Sequence, residues 1–306
     1  MRSHKKLGWV VFILLFVSPF TSQAAEYILR AEIHVKETQA RRLEVWVPLP
    51  LEDQSQKILS LKVEAPGPFL IREEEEYGNR FLYLSLPRGN AKITYEARIE
   101  RTEFHPVETP PPSPRFLLPD RLVPLKPFRD LAQTLSQGRK TPLEQLRAFY
   151  DYVVTNLRYD KSGKGWGRGD ALFACTNKRG NCTDFHSLLM ALARNKGIPV
   201  IFEIGLPVNR EGGPIKGYHC WLKAYVDGKL YGIDASEAAK NPAKREYYFG
   251  NLDERRILLS RGRDLLLAPP QHGERLNFLY QAYAEADLRP APDLVETRYF
   301  VSFAAP

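Results

Sequence analysis

The 306 residues carry 44 lysines and arginines against 36 acids, for a formal net charge of +8, with 43% hydrophobic residues and three cysteines. This length and apolar content are enough for two domains, each with its own core. The small, dispersed basic excess argues against nucleic-acid binding, and three cysteines exclude a disulfide scaffold.

The chain opens with Arg2, Lys5 and Lys6, an apolar run over 7–20, and Ser22-Gln23-Ala24. That order reads as a signal peptide over 1–24. The run is shorter than the ~20 residues that span a bilayer, so an exported protein, periplasmic or secreted, with no stable membrane insertion after cleavage is expected. Its removal takes away three basic residues and no acidic ones. Cys175, Cys182 and Cys220 then face an oxidising compartment, where one bridge and one free thiol, Cys175 to Cys220 or Cys182 to Cys175, and Cys175 and Cys220 as unpaired buried thiols are all open.

From 27 to 104 the pattern has a period of two. Leu29, Ala31, Ile33 and Val35 alternate with Arg30, Glu32, His34 and Lys36, and Ile93, Tyr95, Ala97 and Ile99 alternate with Lys92, Thr94, Glu96 and Arg98. Such alternation predicts strands with one buried face, and further runs at 43–47, 58–63 and 81–86, the last leading into an Arg88-Gly89-Asn90 turn, complete an antiparallel, sandwich-like β-domain over 25–108. Thr109-Pro110-Pro111-Pro112-Ser113-Pro114 ends it, because proline removes backbone donors and stiffens the chain, so 109–124 reads as a linker.

The second unit, 125–270, mixes helix and strand, giving an α+β chain overall. Thr141, Pro142 and Glu144 form a capping box with proline at the first helical position, and predict a helix to about 157 with Leu146, Phe149, Val153 and Leu157 on its apolar side. Another helix is expected from Cys182 to Asn195, burying Phe185, Leu188, Leu189 and Leu192. Strands follow at 200–206, 219–226 and 229–234, and two more at 276–285 and 297–303 in a C-terminal β extension, 271–306.

Asp227-Gly228 is a two-residue hairpin signal that pairs Val226 with Lys229. Continued, that register puts Trp221 opposite Asp234 and sets His219, Trp221 and Asp234 on one face, with Cys220 on the other. Cys182 sits where a loop becomes a helix, and unpaired N–H groups and the helix dipole there favour a thiolate. Glycines at 163, 165, 167 and 169 surround Trp166 in the preceding loop and allow close approach of backbone to a ligand. A nucleophile (Cys182), a base (His219) and an acid that orients the base (Asp234) are thereby available.

The blocks Gly180-Asn181-Cys182-Thr183-Asp184-Phe185, Tyr218-His219-Cys220-Trp221 and Gly232-Ile233-Asp234-Ala235-Ser236 resemble the three signature blocks of the bacterial transglutaminase-like superfamily. The resemblance spans about 151–267 and implies a papain-like α+β core with Cys182, His219 and Asp234 as catalytic triad. Ala235-Ser236 departs from the Pro-Thr that often follows the Asp in that family. The implied activity is acyl transfer from an amide carbonyl of a peptide or protein substrate, as amidase, peptidase or cross-linking transglutaminase, with no cofactor. A catalytically silent peptide- or cell-wall-binding module on the same fold is the alternative.

Trp166 and Trp221 are candidate pocket walls or oxyanion donors, and core packing is the competing reading for each. Cys182 and His186 share a helix face at metal-ligand spacing, but His219 and Cys220 alternate across a strand, so no metal site is expected. His186 is then a hydrogen-bonded histidine behind the site, and Asp184 a first-turn partner of the helix dipole. Arg255, Arg256, Arg261 and Arg263, near Asp264, read as an ion-pair cluster or a carboxylate-binding group.

Overall fold

The computed structural model describes residues 24–87 and 89–304. All but the last residue of the expected signal segment, and Arg88 of the expected turn, lie outside them. The alternating segments form strands β1 (Ala25–Val35), β2 (Leu43–Pro48), β3 (Gln56–Glu64), β4 (Leu70–Glu73), β5 (Arg80–Leu86) and β6 (Ala91–Arg101). β1 and β6 pair antiparallel with Leu29 opposite Ala97 and Ile33 opposite Ile93, which puts Leu29, Ala31, Ile33 and Val35 on one face with Ile93, Tyr95, Ala97 and Ile99. β3 extends that layer, while β2, β5 and β4 form a second one. Leu29, Ile33, Val45, Leu84, Ile93 and Ile99 meet between them in one buried cluster.

The α+β core begins with β7 (Val107–Glu108), α1 (Arg129–Ser136) and α2 (Pro142–Asn156). The expected capping box is present: the Glu144 N–H donates to Thr141 Oγ1 at 3.2 Å and the Thr141 N–H to Glu144 Oε2 at 3.1 Å. There follow β8 (Arg158–Tyr159), α3 (Ala171–Asn177), β9 (Arg179–Gly180), α4 (Cys182–Asn195), β10 (Val200–Pro207), β11 (Gly213–Ile215), β12 (His219–Val226), β13 (Lys229–Ile233), α5 (Ala235–Lys240), β14 (Phe249–Gly250) and β15 (Arg256–Arg261). The central sheet runs β14-β13-β12-β10-β15, with β7 on β13. α4 is buried from Cys182 to Arg194, and its Leu188, Leu189 and Leu192 pack with Phe202, Ile204, Leu222 and Ala224 of the sheet. The β12–β13 hairpin pairs Val226 with Lys229 through to Leu222 with Ile233, turning on Asp227 (φ 49) and Gly228 (φ 76), the left-handed pair that a tight hairpin of this twist requires.

The C-terminal region is no separate extension. β16 (Tyr283–Ala286) pairs with β2 and carries β17 (Arg289–Pro290) on its other edge, and β18 (Val295–Phe303) pairs with β1 from Tyr27 to Val35. The sandwich thus takes strands from both ends of the chain. The strand expected from 276 starts only at Tyr283, because Phe278 and Tyr280 before it pack against the α+β core. Leu206, Val208, Ile257 and Leu259, at the ends of β10 and β15, enter the sandwich cluster and fuse the two units. Among the described residues no helix is long and apolar enough to cross a membrane.

Candidate active site

The start of α4 is fixed by its own first turn. Asn181 Oδ1 accepts from the Thr183 N–H at 3.0 Å and from Thr183 Oγ1 at 2.6 Å, and Asp184 Oδ2 accepts from the Asn181 N–H at 3.0 Å. Asp184 does more than complement the dipole. Its Oδ2 also accepts from the Gly167 N–H at 2.7 Å and its Oδ1 from the Gly169 N–H at 3.1 Å, so one carboxylate ties the glycine-rich loop to the helix that carries Cys182. A Cβ on Gly180 would come within 2.4 Å of that carboxylate, which explains a glycine there. Burial pushes the Asp184 carboxyl up, against the backbone donors that favour its charged form. Asp184→Ala strands three backbone N–H groups, and a loss of about 3 kcal/mol is expected, checked by urea unfolding.

At the far end of α4's sheet, His219 opens β12 and Asp234 follows the last residue of β13. The ladder closes at Leu222 and Ile233, so Asp234 stands one residue beyond it as the cap of α5, its Oδ1 accepting from the Glu237 N–H and Ser236 Oγ, each at 3.0 Å. Its Oδ2 lies 2.6 Å from His219 Nε2 and 2.9 Å from Arg256 Nη1. Arg256, 2% exposed, turns its other amine to Asp253 Oδ2 at 2.9 Å and lies over the Trp221 ring. Burial opposes the charge on Asp234, but His219 and then Arg256 hold the carboxyl well below its ordinary value. Burial likewise opposes protonation of His219, and the Asp234 charge outweighs it, raising the imidazole from 6.5 to about 10.

Cys182 is 2% exposed and lies at the first position of α4. Burial raises its thiol, but hydrogen bonds with Cys220 and His219, and the His219 charge, outweigh that and hold it well below its usual value. The Cys220 thiol is driven up by burial and by the sulfur of Cys182. Two adjacent strand residues therefore both reach Cys182, although alternation points them apart: Cys220 faces α4 directly, whereas His219 stands at the strand's first position, beside the helix start. His186 completes the back of the site. Its Nε2 accepts from the Ala235 N–H at 3.1 Å, its Nδ1 lies 3.4 Å from Cys220 Sγ, and burial brings it down to about 4, so it is neutral at pH 7. All three cysteines are free, and Cys182 has Cys220, not Cys175, as its sulfur neighbour.

One expectation is corrected. Trp221 shares a face with His219, but two residues along the strand that face is covered: the indole is fully buried with Phe104, Leu252 and Leu258, and its N–H donates to Glu203 Oε2 at 2.6 Å. The Trp166 N–H donates to Gly163 O at 3.1 Å within its own loop. The buried Trp221 N–H, held by Glu203, is not free to hold an oxyanion. Three of the four arginines form ion pairs, with acids other than Asp264: Arg255 with Glu254 at 3.7 Å, Arg256 with Asp234 and Arg261 with Glu203 at 3.0 Å, while Arg263 holds Ser187 Oγ at 2.7 Å and Gly169 O at 2.9 Å. The cleft, about 750 Å³, runs from His219 past Glu237 between walls that include Tyr159, Tyr218, Lys161, Arg210, Lys216 and Lys244.

Residues 129–235, a segment containing Cys182, His219 and Asp234, match the family described as the transglutaminase-like superfamily. Over these residues the α+β core is similar to that superfamily. It is 25% identical over 304 residues to an uncharacterized protein of Haemophilus influenzae, covering 79% of this chain and 80% of that one. A solved structure from Cytophaga hutchinsonii, described as a candidate cysteine protease, superposes with a TM-score of 0.62 at 17% identity over 93% of this chain and 92% of that one, which shows a shared fold.

Proposed function

We propose that the protein is an exported thiol hydrolase of amide bonds, an amidase or peptidase that works through Cys182, His219 and Asp234. The observation that carries this reading is the helix-start thiol paired with an imidazole that Asp234 grips at 2.6 Å. The Cys182 thiolate attacks the amide carbonyl, and the N–H of Cys182, which has no partner within its own helix, faces the developing oxyanion. His219 gives its proton to the leaving amine, an acyl-enzyme forms, and His219 then takes a proton from water to release the acid. Water is the second nucleophile because the cleft beside His219 is broad and walled by charged side chains rather than dry. Its lysines and arginines outnumber its acids, which favours peptides rich in carboxylates.

Incubation with a peptide library and a primary amine tests this, with cleavage of acid-rich peptides as the expected result; conjugation without cleavage would make the enzyme a transglutaminase. The burial of Cys182 favours a second reading, a silent peptide-binding module, and the absence of turnover on any peptide would select it. The pH profile is a further expected outcome. The reactive form is thiolate with imidazolium, so kcat/KM is expected to rise below the ordinary thiol range, stay level through neutrality and fall as His219 loses its proton near pH 10.

A further inference from the structure

On the sandwich, far along the chain from the triad, β2 and β16 place Glu44 directly opposite Glu285. Like charges facing across a strand pair are unfavourable, and these two are buried, at 2% and 0% exposure. Their neighbours satisfy three of the four carboxylate oxygens. Glu285 Oε1 accepts from the Gly273 N–H at 2.7 Å and Tyr283 Oη at 2.9 Å, and its Oε2 from the His272 N–H at 2.9 Å. Glu44 Oε1 accepts from Tyr83 Oη at 2.6 Å and Arg42 Nη2 at 2.8 Å. Glu44 Oε2 is buried without a hydrogen-bond partner among the described residues. It faces His272, whose Nδ1 is 3.7 Å from it and 3.0 Å from Glu285 Oε2.

We propose that Glu44, Glu285 and His272 bind one divalent transition-metal ion of the zinc class, through Glu44 Oε2, Glu285 Oε2 and His272 Nδ1. The three donor atoms lie within 4.8 Å of one another. Ligands about 2.0–2.1 Å from a tetrahedral zinc stand ~3.3 Å apart, and the two separations from His272 Nδ1 bracket that value. Two carboxylates with an imidazole suit a borderline ion, whereas calcium and magnesium prefer all-oxygen sets. Arg42, at 2.8 Å from Glu44 Oε1, faces one oxygen of the pair only, and the ion places its charge between Glu44 Oε2 and Glu285 Oε2, which that guanidinium does not reach. The donors on Glu285, and Tyr83 and Arg42 on Glu44, orient the ligands from behind. The half-exposed His272 leaves a path for the ion and a fourth position for water. Bound there, the ion clamps the segment that leaves the α+β core onto the sandwich.

The test uses the full chain in a Cys182→Ala background, which removes the competing thiolate. Chelator-treated protein is titrated with Zn²⁺, Mn²⁺ or Ca²⁺, desalted, and read by elemental analysis and by Tm. One Zn²⁺ or Mn²⁺ per chain and a Tm rise of about 5 °C or more are expected, both lost in His272→Ala and Glu44→Gln. His272 is at the surface, so its variant folds even where Glu44→Gln does not. Retention of no metal, stabilisation by Ca²⁺ alone, or equal binding by wild type and His272→Ala would overturn the site.

Discussion

Cys182→Ala is expected to lower turnover by about 10⁴-fold or more while the protein stays folded, because acyl transfer at this site has no other nucleophile. Cys220, the neighbouring sulfur, cannot substitute, since burial and the Cys182 charge push its thiol up. The same variant has a second, independent signature at His219. Two of the influences that raise this imidazole come from Cys182, so its titration, followed by NMR, is expected to move down from about 10 in the variant. The linkage has a definite sign. A histidine raised above its ordinary 6.5 contributes stability that is fully present below about 6.5 and is lost as pH rises through about 10. Cys182 contributes with the opposite sign, because a thiol held below its ordinary value gains stability as pH rises toward about 9, so wild type is expected to lose less stability than Cys182→Ala between neutrality and about pH 9. Iodoacetamide labelling separates chemistry from access: Cys182 in wild type is expected to alkylate at pH 6, and in His219→Ala only toward the ordinary thiol range. Activity in Cys182→Ala equal to wild type would end the thiol mechanism.

The parts of this arrangement visible in the sequence are those fixed by near neighbours in the chain. Asn181 and Asp184 cap α4 within four residues, so its start at Cys182 could be read directly, and Asp227-Gly228 sets the register that brings His219 toward Asp234. Strand alternation carried Trp221 to the correct face but could not say what covers that face, which is decided by Phe104 and Leu252 arriving from elsewhere in the chain. Alternation also kept Cys220 away from His219 and could not show that α4 begins where both can reach it. The alternating run at 297–303 was readable as a strand, yet its partner, β1, lies at the opposite end of the chain. Arg256 left no local signal at all. It reaches Asp234 only because α5 and β14 return the chain and β15 lays the arginine under the carboxylate, so an Arg 22 residues on became the second cation on Asp234.

That position gives Arg256→Met the largest expected effect on the fold of any change at the site. The guanidinium is buried between Asp234 and Asp253, bonding to each at 2.9 Å, and methionine matches its stem but leaves two carboxylates facing one another without it. Removing one partner of a buried ion network costs about 3–5 kcal/mol, because the remaining charge stays desolvated, so a large drop in urea midpoint is expected. Stability alone would not separate a scaffold role from a role in tuning the imidazole. The pH profile does. Arg256 and His219 share Asp234 Oδ2, and the guanidinium charge opposes a second positive charge on the ring. With Arg256 gone, the unshared carboxylate holds the His219 proton harder, so the alkaline limb of kcat/KM moves up in pH and proton transfer to the leaving amine slows. Arg256→Lys keeps a cation able to reach Asp234 but not both acids at once, and is expected to restore the limb while recovering only part of the stability. A limb unmoved in Arg256→Met, beside the same loss of stability, would reduce the arginine to a support for Asp253 and leave the electrostatics of the base to Asp234 alone.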